Sequence, residues 1–351
     1  MAKPRNLLIF RFSSLGDVAM TVPVIQLLLK QHPGLQVTIV SNNFVAPLFK
    51  DIDRLNFYAA DLKGKHKGLK GLYKLYKELN AYSSFDAIAD LHDVLRTKIL
   101  RTFFSFSHKP IAVIDKGRSE KKELTRKENK ILRPLKTTFQ RYADVFGALT
   151  LPVVLKINDG IKEPPVVTDS YLQELKFAGN NIIGLAPFAQ YAEKTYPPGK
   201  MKEVVKMLLQ HTNNRIFLFG GANDKGVLNQ WEKEFKGVQS LAGKMNFEKE
   251  LELIAQLDVM ISMDSANMHL ASLYGVPVVS VWGATHPFAG FYGWGQSPEN
   301  AVQIDLYCRP CSVFGNKPGY RGDLLCLHSI FPQIIYNKVM ENLRQGNIAF
   351  S

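Results

Sequence analysis

Val259-Met260-Ile261-Ser262-Met263-Asp264-Ser265-Ala266-Asn267-Met268-His269, followed beyond Tyr274-Gly275 by Val278-Val279-Ser280-Val281, is the stretch whose reading decides the fold. An apolar run at 259–261 ends in small polar residues, a helical segment opens over 266–274, and a second apolar run follows. Both runs are apolar but for Ser280 and do not alternate, as in parallel strands covered on both faces. Working upstream, the same alternation recurs: strands at Ile182–Leu185 and Arg215–Phe219, helices near 200–211 and 247–256. It recurs again in the first half, with Leu7-Leu8-Ile9-Phe10, a helix marked by Val24, Leu27, Leu28 and Gln31, then Val37–Val40, Phe85–Leu91 and Ile111–Ile114. Pro152, Gly160, Pro164 and Pro165 interrupt the two series and read as a linker or crossover. The expected architecture is α/β, two Rossmann-like domains facing across a cleft. The expected boundaries are 1–155, a linker at 156–178, a second domain at 179–330, and a helix in 331–351 packing back toward the first domain.

Length agrees with two domains, since 351 residues at about 100–200 residues per domain leave room for two cores. The chain has no apolar run of the ~18 residues that a membrane helix needs. The apolar stretch after Lys3 and Arg5 is broken at Arg11, which argues against a cleavable signal peptide. Three cysteines make no disulfide scaffold and suit a reducing cytoplasm.

Charge is placed unevenly. Residues 1–155 hold 26 Lys and Arg against 13 Asp and Glu, whereas residues 156–351 hold 18 of each. One cluster interleaves Lys63, Lys65, Lys67, Lys70, Lys74 and Lys77 with Leu69, Leu72, Tyr73, Leu75 and Tyr76. A second runs from Lys116 through Arg118, Arg126 and Arg133 to Arg141. Such faces attract an anion: nucleic acid, an acidic membrane surface or a phosphorylated substrate. A plain solvated helix face is the competing interpretation.

Four loops leave the ends of strands. Arg11-Phe12-Ser13-Ser14-Leu15-Gly16-Asp17 follows the first strand and offers a carboxylate, Asp17, on a small-residue turn. With one glycine where a dinucleotide fingerprint needs three, it is no NAD motif; Asp17 is either a reactive group or a helix cap. Small residues at 264–267 open a helix whose free amides and dipole suit a phosphate. Ser265 and His269 are spaced i, i+4 and share a helix face, unless the first is a simple cap and the second a structural histidine. Lys194 closes the loop 185–197, and Gly220-Gly221-Ala222-Asn223-Asp224 forms a further loop on the same edge. These second-half loops are expected to converge on one pocket.

The segments RFSSLGDV, APFAQYAEKTYP, LAGKMNFEKEL and MDSANMHLASLYGVPVVSVWGATHP, in this order along nearly the whole chain, resemble glycosyltransferase family 9, the bacterial heptosyltransferases. The resemblance implies a GT-B fold and an inverting, metal-independent transfer of heptose or a related sugar from an ADP-sugar to a lipopolysaccharide core or other cell-envelope glycan. It implies Asp17 as base and Lys194 on the donor's phosphate and sugar. Asp264, Ser265, Ala266 and His269 fall on the family's Asp-Thr-Gly-x-x-His loop, and the resemblance implies Met245 in the adenine pocket and Asp224 near the ribose. Ala189 and Gln190 complete the donor set where hydroxyl residues are frequent, and Ala266 replaces a glycine, so its Cβ crowds the pyrophosphate path. Ser13, Arg118, Arg126 and Arg133 are the implied acceptor contacts. The implied partners are an ADP-heptose donor and an anionic glycolipid acceptor, with cytoplasmic location, peripheral contact with the inner membrane, no cofactor and no nucleic acid.

Two other readings stand beside this one: a protein that binds sugar nucleotide without turnover, motivated by Ala189 and Ala266, and a nucleic-acid binder using the basic half. The second lacks any RNP, zinc-finger or helix-turn-helix signature. Cys308-x-x-Cys311, with Cys326 and His328, supplies either four zinc ligands or inert thiols.

Overall fold

The structure, a computed structural model, describes residues 3–166 and 170–349. The chain divides into two compact units. One comprises the residues up to Gly117 together with Lys136–Gly160; the other comprises Arg118–Leu135 together with the residues from Ile161 onward.

In the first unit five parallel strands, β1 (Asn6–Phe10), β2 (Gln36–Ser41), β3 (Leu55–Ala59), β4 (Ala87–Asp90) and β5 (Ile111–Val113), stand in the order β3-β2-β1-β4-β5. Leu7, Leu8, Ile9 and Phe10 are wholly buried, because β1 is central and helices cover both faces. Leu7 pairs with Val37 on one side and Ala87 on the other.

In the second unit six parallel strands, β6 (Asn181–Ala186), β7 (Asn214–Leu218), β8 (Val238–Ser240), β9 (Val259–Met263), β10 (Val278–Val281) and β11 (Ala301–Val302), stand in the order β11-β10-β9-β6-β7-β8. In each sheet the strand order reverses beside the unit's first strand, between β1 and β4 and between β6 and β9. A crevice beyond the carboxyl ends of the strands opens at such a reversal. The loops that follow β1, β6 and β9 are those carrying Asp17, Lys194 and Asp264.

The structure departs from the sequence reading in three places. Residues 118–135, read as part of the first domain, belong to the second unit. Leu124 and Leu135 cluster there with Ala289, Phe288 and Phe291, and the Leu135 N–H donates to the Phe288 carbonyl at 2.9 Å. The stretch 156–178, read as linker, contains the helix Ser170–Phe177, whose Leu175 is buried; the prolines end at 165 and nothing after them breaks a helix. The last helix, Pro332–Ala349, was expected against the first domain. Its Ile335, Val339 and Leu343, spaced i, i+4, i+8, instead enter the core of the second unit beside Val204 and Leu208. That apolar stripe is matched by the inward face of the helix Pro198–Leu208.

Candidate active site

In the first unit, Leu15–Ala19 forms a five-residue helix directly after the loop that leaves β1. The Ser14 hydroxyl donates to Asp17 Oδ2 at 2.7 Å, and the Ser14 N–H does so at 3.3 Å. The Arg11 guanidinium lies 2.7 Å from the same oxygen. Asp17 therefore closes the helix start, as the cap interpretation expects, and it also faces a buried cation. Arg11 is fixed from behind, donating to the Leu91 carbonyl at 2.6 Å with its guanidinium 5.9 Å from the centre of the Tyr142 ring. The Tyr142 hydroxyl donates to the Asp17 carbonyl at 3.1 Å, and complete burial raises its pKa.

His92 follows β4 and accepts from the Phe12 N–H through Nδ1 at 3.4 Å. Burial, reinforced by Arg11 and Lys116, pushes it down to about 3. It is neutral at any physiological pH, so the charges at this loop are those of Arg11 and Asp17. Ser13 is exposed beside it. Arg11, Tyr142 and His92 were not singled out from sequence. A charged residue immediately after a fully buried strand was a usable signal for Arg11; Tyr142, far along the chain, gave none.

In the second unit the two loops beside the strand reversal meet through their charges: Lys194 Nζ lies 2.9 Å from Asp264 Oδ2. Both are largely buried, at 15% and 8% exposure, so the pair is felt more strongly than a surface ion pair. Ser265 stands at the N-cap position of the helix Ala266–Leu273 without a side-chain capping bond, and its hydroxyl lies 3.1 Å from that of Ser262. The first amides of this helix have no intrahelical acceptor, so a cation and a set of N–H donors share one edge, an arrangement suited to a diphosphate. His269 is buried one turn further on.

The lysine is held by shape as well as charge. Gly315 has φ +73°, and a Cβ there would come within 2.5 Å of Lys194 Cγ and Cδ. Gly283 likewise packs against the Glu193 carbonyl, which accepts from the Ala284 N–H at 3.0 Å. Gly315→Ala is expected to cost about 1 kcal/mol or more from backbone strain alone and to displace the lysine. The readout is a raised donor KM accompanied by a lower Tm; an unchanged KM would show that Lys194 tolerates the shift.

The other expected donor residues are distributed as follows. The half-buried Ala189 donates its N–H to the Thr195 hydroxyl at 3.3 Å, and that hydroxyl donates to the Tyr191 carbonyl at 3.1 Å. The hydroxyl absent at 189 and 190 is thus present at 195, where it orders the loop. Gln190 is exposed and Met245 half-buried. Asp224 accepts from the Gly221 N–H at 2.8 Å, folding its own glycine turn.

The second basic cluster is not one solvated face. Lys121 is buried with its ammonium 4.3 Å from the Phe291 ring centre, and Lys130 donates to the carbonyls of Cys308 and Pro310 at 2.6 and 2.8 Å. Arg141 is buried and donates to the Asp115 carbonyl at 3.2 Å. Arg118, Arg126 and Arg133 are exposed, and all three sit on the segment that belongs to the second unit. Cys308, Cys311 and Cys326 are buried free thiols lining one small pocket with Ala284 and Asp323; His328 is not part of its lining. Burial pushes the Cys326 thiol up to about 11. Among the described residues no three His, Cys, Asp or Glu side chains are grouped so as to hold a metal ion.

A family model described as glycosyltransferase family 9 (heptosyltransferase) matches residues 72–318. The chain belongs to glycosyltransferase family 9. The matched span takes in Lys194, Asp224, Met245 and the 264–269 loop, while Asp17 lies upstream of it. A curated relative, the lipopolysaccharide core heptosyltransferase OpsX of Haemophilus influenzae, is 26% identical over 293 residues, covering 81% of this chain and 80% of its own. Among solved structures, a family 9 glycosyltransferase from Veillonella parvula superposes with a TM-score of 0.75 at 18% identity, covering 98% of this chain and 99% of its own. The ADP-heptose lipopolysaccharide heptosyltransferase II of E. coli superposes with a TM-score of 0.66 at 17% identity, covering 97% and 99%. The two Rossmann-like units are thus those of the GT-B fold, and this family 9 member is a glycosyltransferase.

Proposed function

We propose that the enzyme is an inverting, metal-independent heptosyltransferase that moves heptose, or a closely related sugar, from an ADP-sugar to a lipopolysaccharide core acceptor. The observation that carries this reading is the Lys194–Asp264 pair beside the open amides of the helix at 266, at the strand reversal of the second sheet. That set can bind a nucleoside diphosphate and take up the charge that grows on it as it leaves. The relatives named for ADP-heptose and for the lipopolysaccharide core supply the donor and acceptor classes.

In this mechanism the acceptor hydroxyl oxygen forms a bond to the anomeric carbon from the face opposite the diphosphate. The bond from that carbon to the phosphate oxygen breaks, and its electron pair leaves with the ADP. The hydroxyl proton passes to Asp17. A carboxylate suffices, because the hydroxyl becomes acidic as the new bond forms. Lys194 and the amides at 265–267 stabilise the departing diphosphate in place of a metal. Met245 and Asp224 border the nucleoside of the donor, Ala189 and Gln190 border its phosphates, and Ser13 and the arginines at 118, 126 and 133 attend the acceptor. The enzyme works in the cytoplasm with its acceptor, an anionic glycolipid, at the inner membrane surface.

A thermal-shift panel of ADP, UDP, GDP and CDP, with Mg²⁺ and with EDTA, tests the donor half. Ligand at about 100 Kd adds about 2.7 kcal/mol to the native state. The expected result is a shift for ADP that is equal with and without the metal. A preference for another nucleotide would overturn the ADP-heptose assignment, and a requirement for Mg²⁺ would overturn the metal-free mechanism. If ADP-heptose shifts the Tm while no ADP is released with acceptor present, the protein binds without turnover.

A further inference from the structure

The helix Gly68–Tyr82 turns Gly71, Leu72, Leu75 and Leu79 inward, yet it keeps apolar side chains on its outer face as well. Leu69 is 64% exposed and Tyr73, one turn further, is also exposed. Beside it packs the helix Leu95–Ser105, joined through the Tyr73 and Phe103 rings, whose centres are 5.5 Å apart, edge to face. Leu95, Ile99 and Phe103 of this second helix and its C-cap residue Phe106 fall at i, i+4, i+8 and i+11, one face of a helix. Its two ends, Leu95 and Phe106, are 73% and 76% exposed. Two adjacent helices thus form an apolar ridge whose exposed members are Leu69, Tyr73, Leu95 and Phe106, with Ile99 and Phe103 half-buried between them against the core; isolated surface leucines do not make such a grouping.

Cations border the ridge. Lys70, Lys74 and Lys77 are exposed along the first helix, and Lys77 lies 5.9 Å from the Tyr73 ring centre; Arg96 and Lys98 are exposed on the second. The nearby carboxylates are turned to partners of their own. Glu78 is held by Lys65 at 2.8 Å and His66 at 3.0 Å, and Asp93 by Arg101 at 3.1 Å. The outward charge of the ridge is therefore positive. An apolar face edged by lysines is the pattern of a surface that lies in the interface of an anionic bilayer, with tyrosine at headgroup depth and lysine stems reaching to the phosphates. No helix among the described residues is long and apolar enough to cross a membrane, so this contact is with one leaflet.

We infer that the ridge formed by the helices Gly68–Tyr82 and Leu95–Ser105 docks the enzyme on an anionic lipid surface. This deepens the membrane contact proposed above, but it stands on exposed side chains and charge and needs neither donor nor acceptor. Each lysine near an anionic surface contributes about fivefold to partitioning, so the triple variant Lys70→Gln, Lys74→Gln, Lys77→Gln should bind about a hundredfold more weakly.

The test is co-sedimentation of the full chain with phosphatidylcholine vesicles, with and without phosphatidylglycerol, free of glycolipid. Binding is expected only with phosphatidylglycerol. It should weaken between about 0.1 and about 1 M salt, where the Debye length falls from about 10 to about 3 Å. Leu69→Ser with Phe106→Ser should reduce it while leaving net charge untouched. These positions are exposed, so the variants should keep the wild-type Tm and ADP shift, which separates loss of docking from loss of fold. Equal binding to both vesicle types, or binding indifferent to both sets of substitutions, would overturn the assignment, as would a ridge that captures a soluble protein or nucleic acid and ignores vesicles. If the ADP panel fails and vesicle binding holds, the transferase reading falls and the docking surface remains.

Discussion

Asp17→Asn is expected to lower kcat by about 10²- to 10⁴-fold, the range for removal of a general base, with the KM for donor unchanged. The amide keeps the shape of the side chain but cannot take a proton from the acceptor hydroxyl. It also leaves Arg11, whose side chain is 7% exposed, without its carboxylate, although the Leu91 carbonyl still accepts from it. Breaking a fully buried pair costs about 3–5 kcal/mol; because Asp17 is 27% exposed, about 1–2 kcal/mol is expected here. Steady-state ADP release and chemical denaturation measure the two effects separately. The pH profile adds a sign: His92 is already neutral above about 3, so neither enzyme should show an acid limb near pH 6.5. A limb there, or an Asn variant within threefold of wild type, would move the base elsewhere.

Lys194→Met is expected to lose about a hundredfold to a thousandfold in turnover, about 3–4 kcal/mol of barrier, as when one preorganised donor to a developing anion is removed. The same change leaves Asp264, at 8% exposure, as a buried carboxylate with its cation gone and facing the place where the diphosphate would bind. Donor binding should therefore weaken along with catalysis, and stability should drop by about 3 kcal/mol. The double variant with Asp264→Asn separates these contributions. Removing the stranded charge should restore most of the Tm and none of the turnover. Recovery of turnover in the double variant would mean that Lys194 serves only to neutralise Asp264.

The central strands were legible because they are apolar on both faces: β1, β6, β9 and β10 read as continuous runs with no competing period. The strands that escaped notice lie at sheet edges. Leu55-Asn56-Phe57-Tyr58-Ala59 is never fully buried, and β8 and β11 are three and two residues long, too short for any pattern. The segments with Asp17, Lys194 and Asp264 could be singled out because the ligand-facing loops of such a fold follow strand ends. What holds them could not. The partners of Arg11, the glycine pressed on Lys194 and the carbonyls taken by Lys130 come from distant parts of the chain, and long-range packing leaves no local period. The same cause divided the basic residues. Lys121, Lys130 and Arg141 carry the charge of a solvated face, but each is drawn to a ring or carbonyl contributed from elsewhere, whereas Lys70, Lys74 and Lys77 remain outside.

The excursion of residues 118–135 into the second unit bears on how this enzyme can be recombined. The polypeptide passes from one unit to the other after Gly117, returns at Lys136 and passes over again after Gly160. A hybrid made by joining a foreign second half at the 160 junction would keep the native 118–135 strip, including Leu124 and Leu135, but would have to seat it against a stranger's counterparts of Phe288, Ala289 and Phe291. Exchange of the whole second unit between relatives therefore requires three junctions, after Gly117, after Leu135 and after Gly160, and a library shuffled at a single crossover would pair mismatched surfaces for a reason far from any reacting atom.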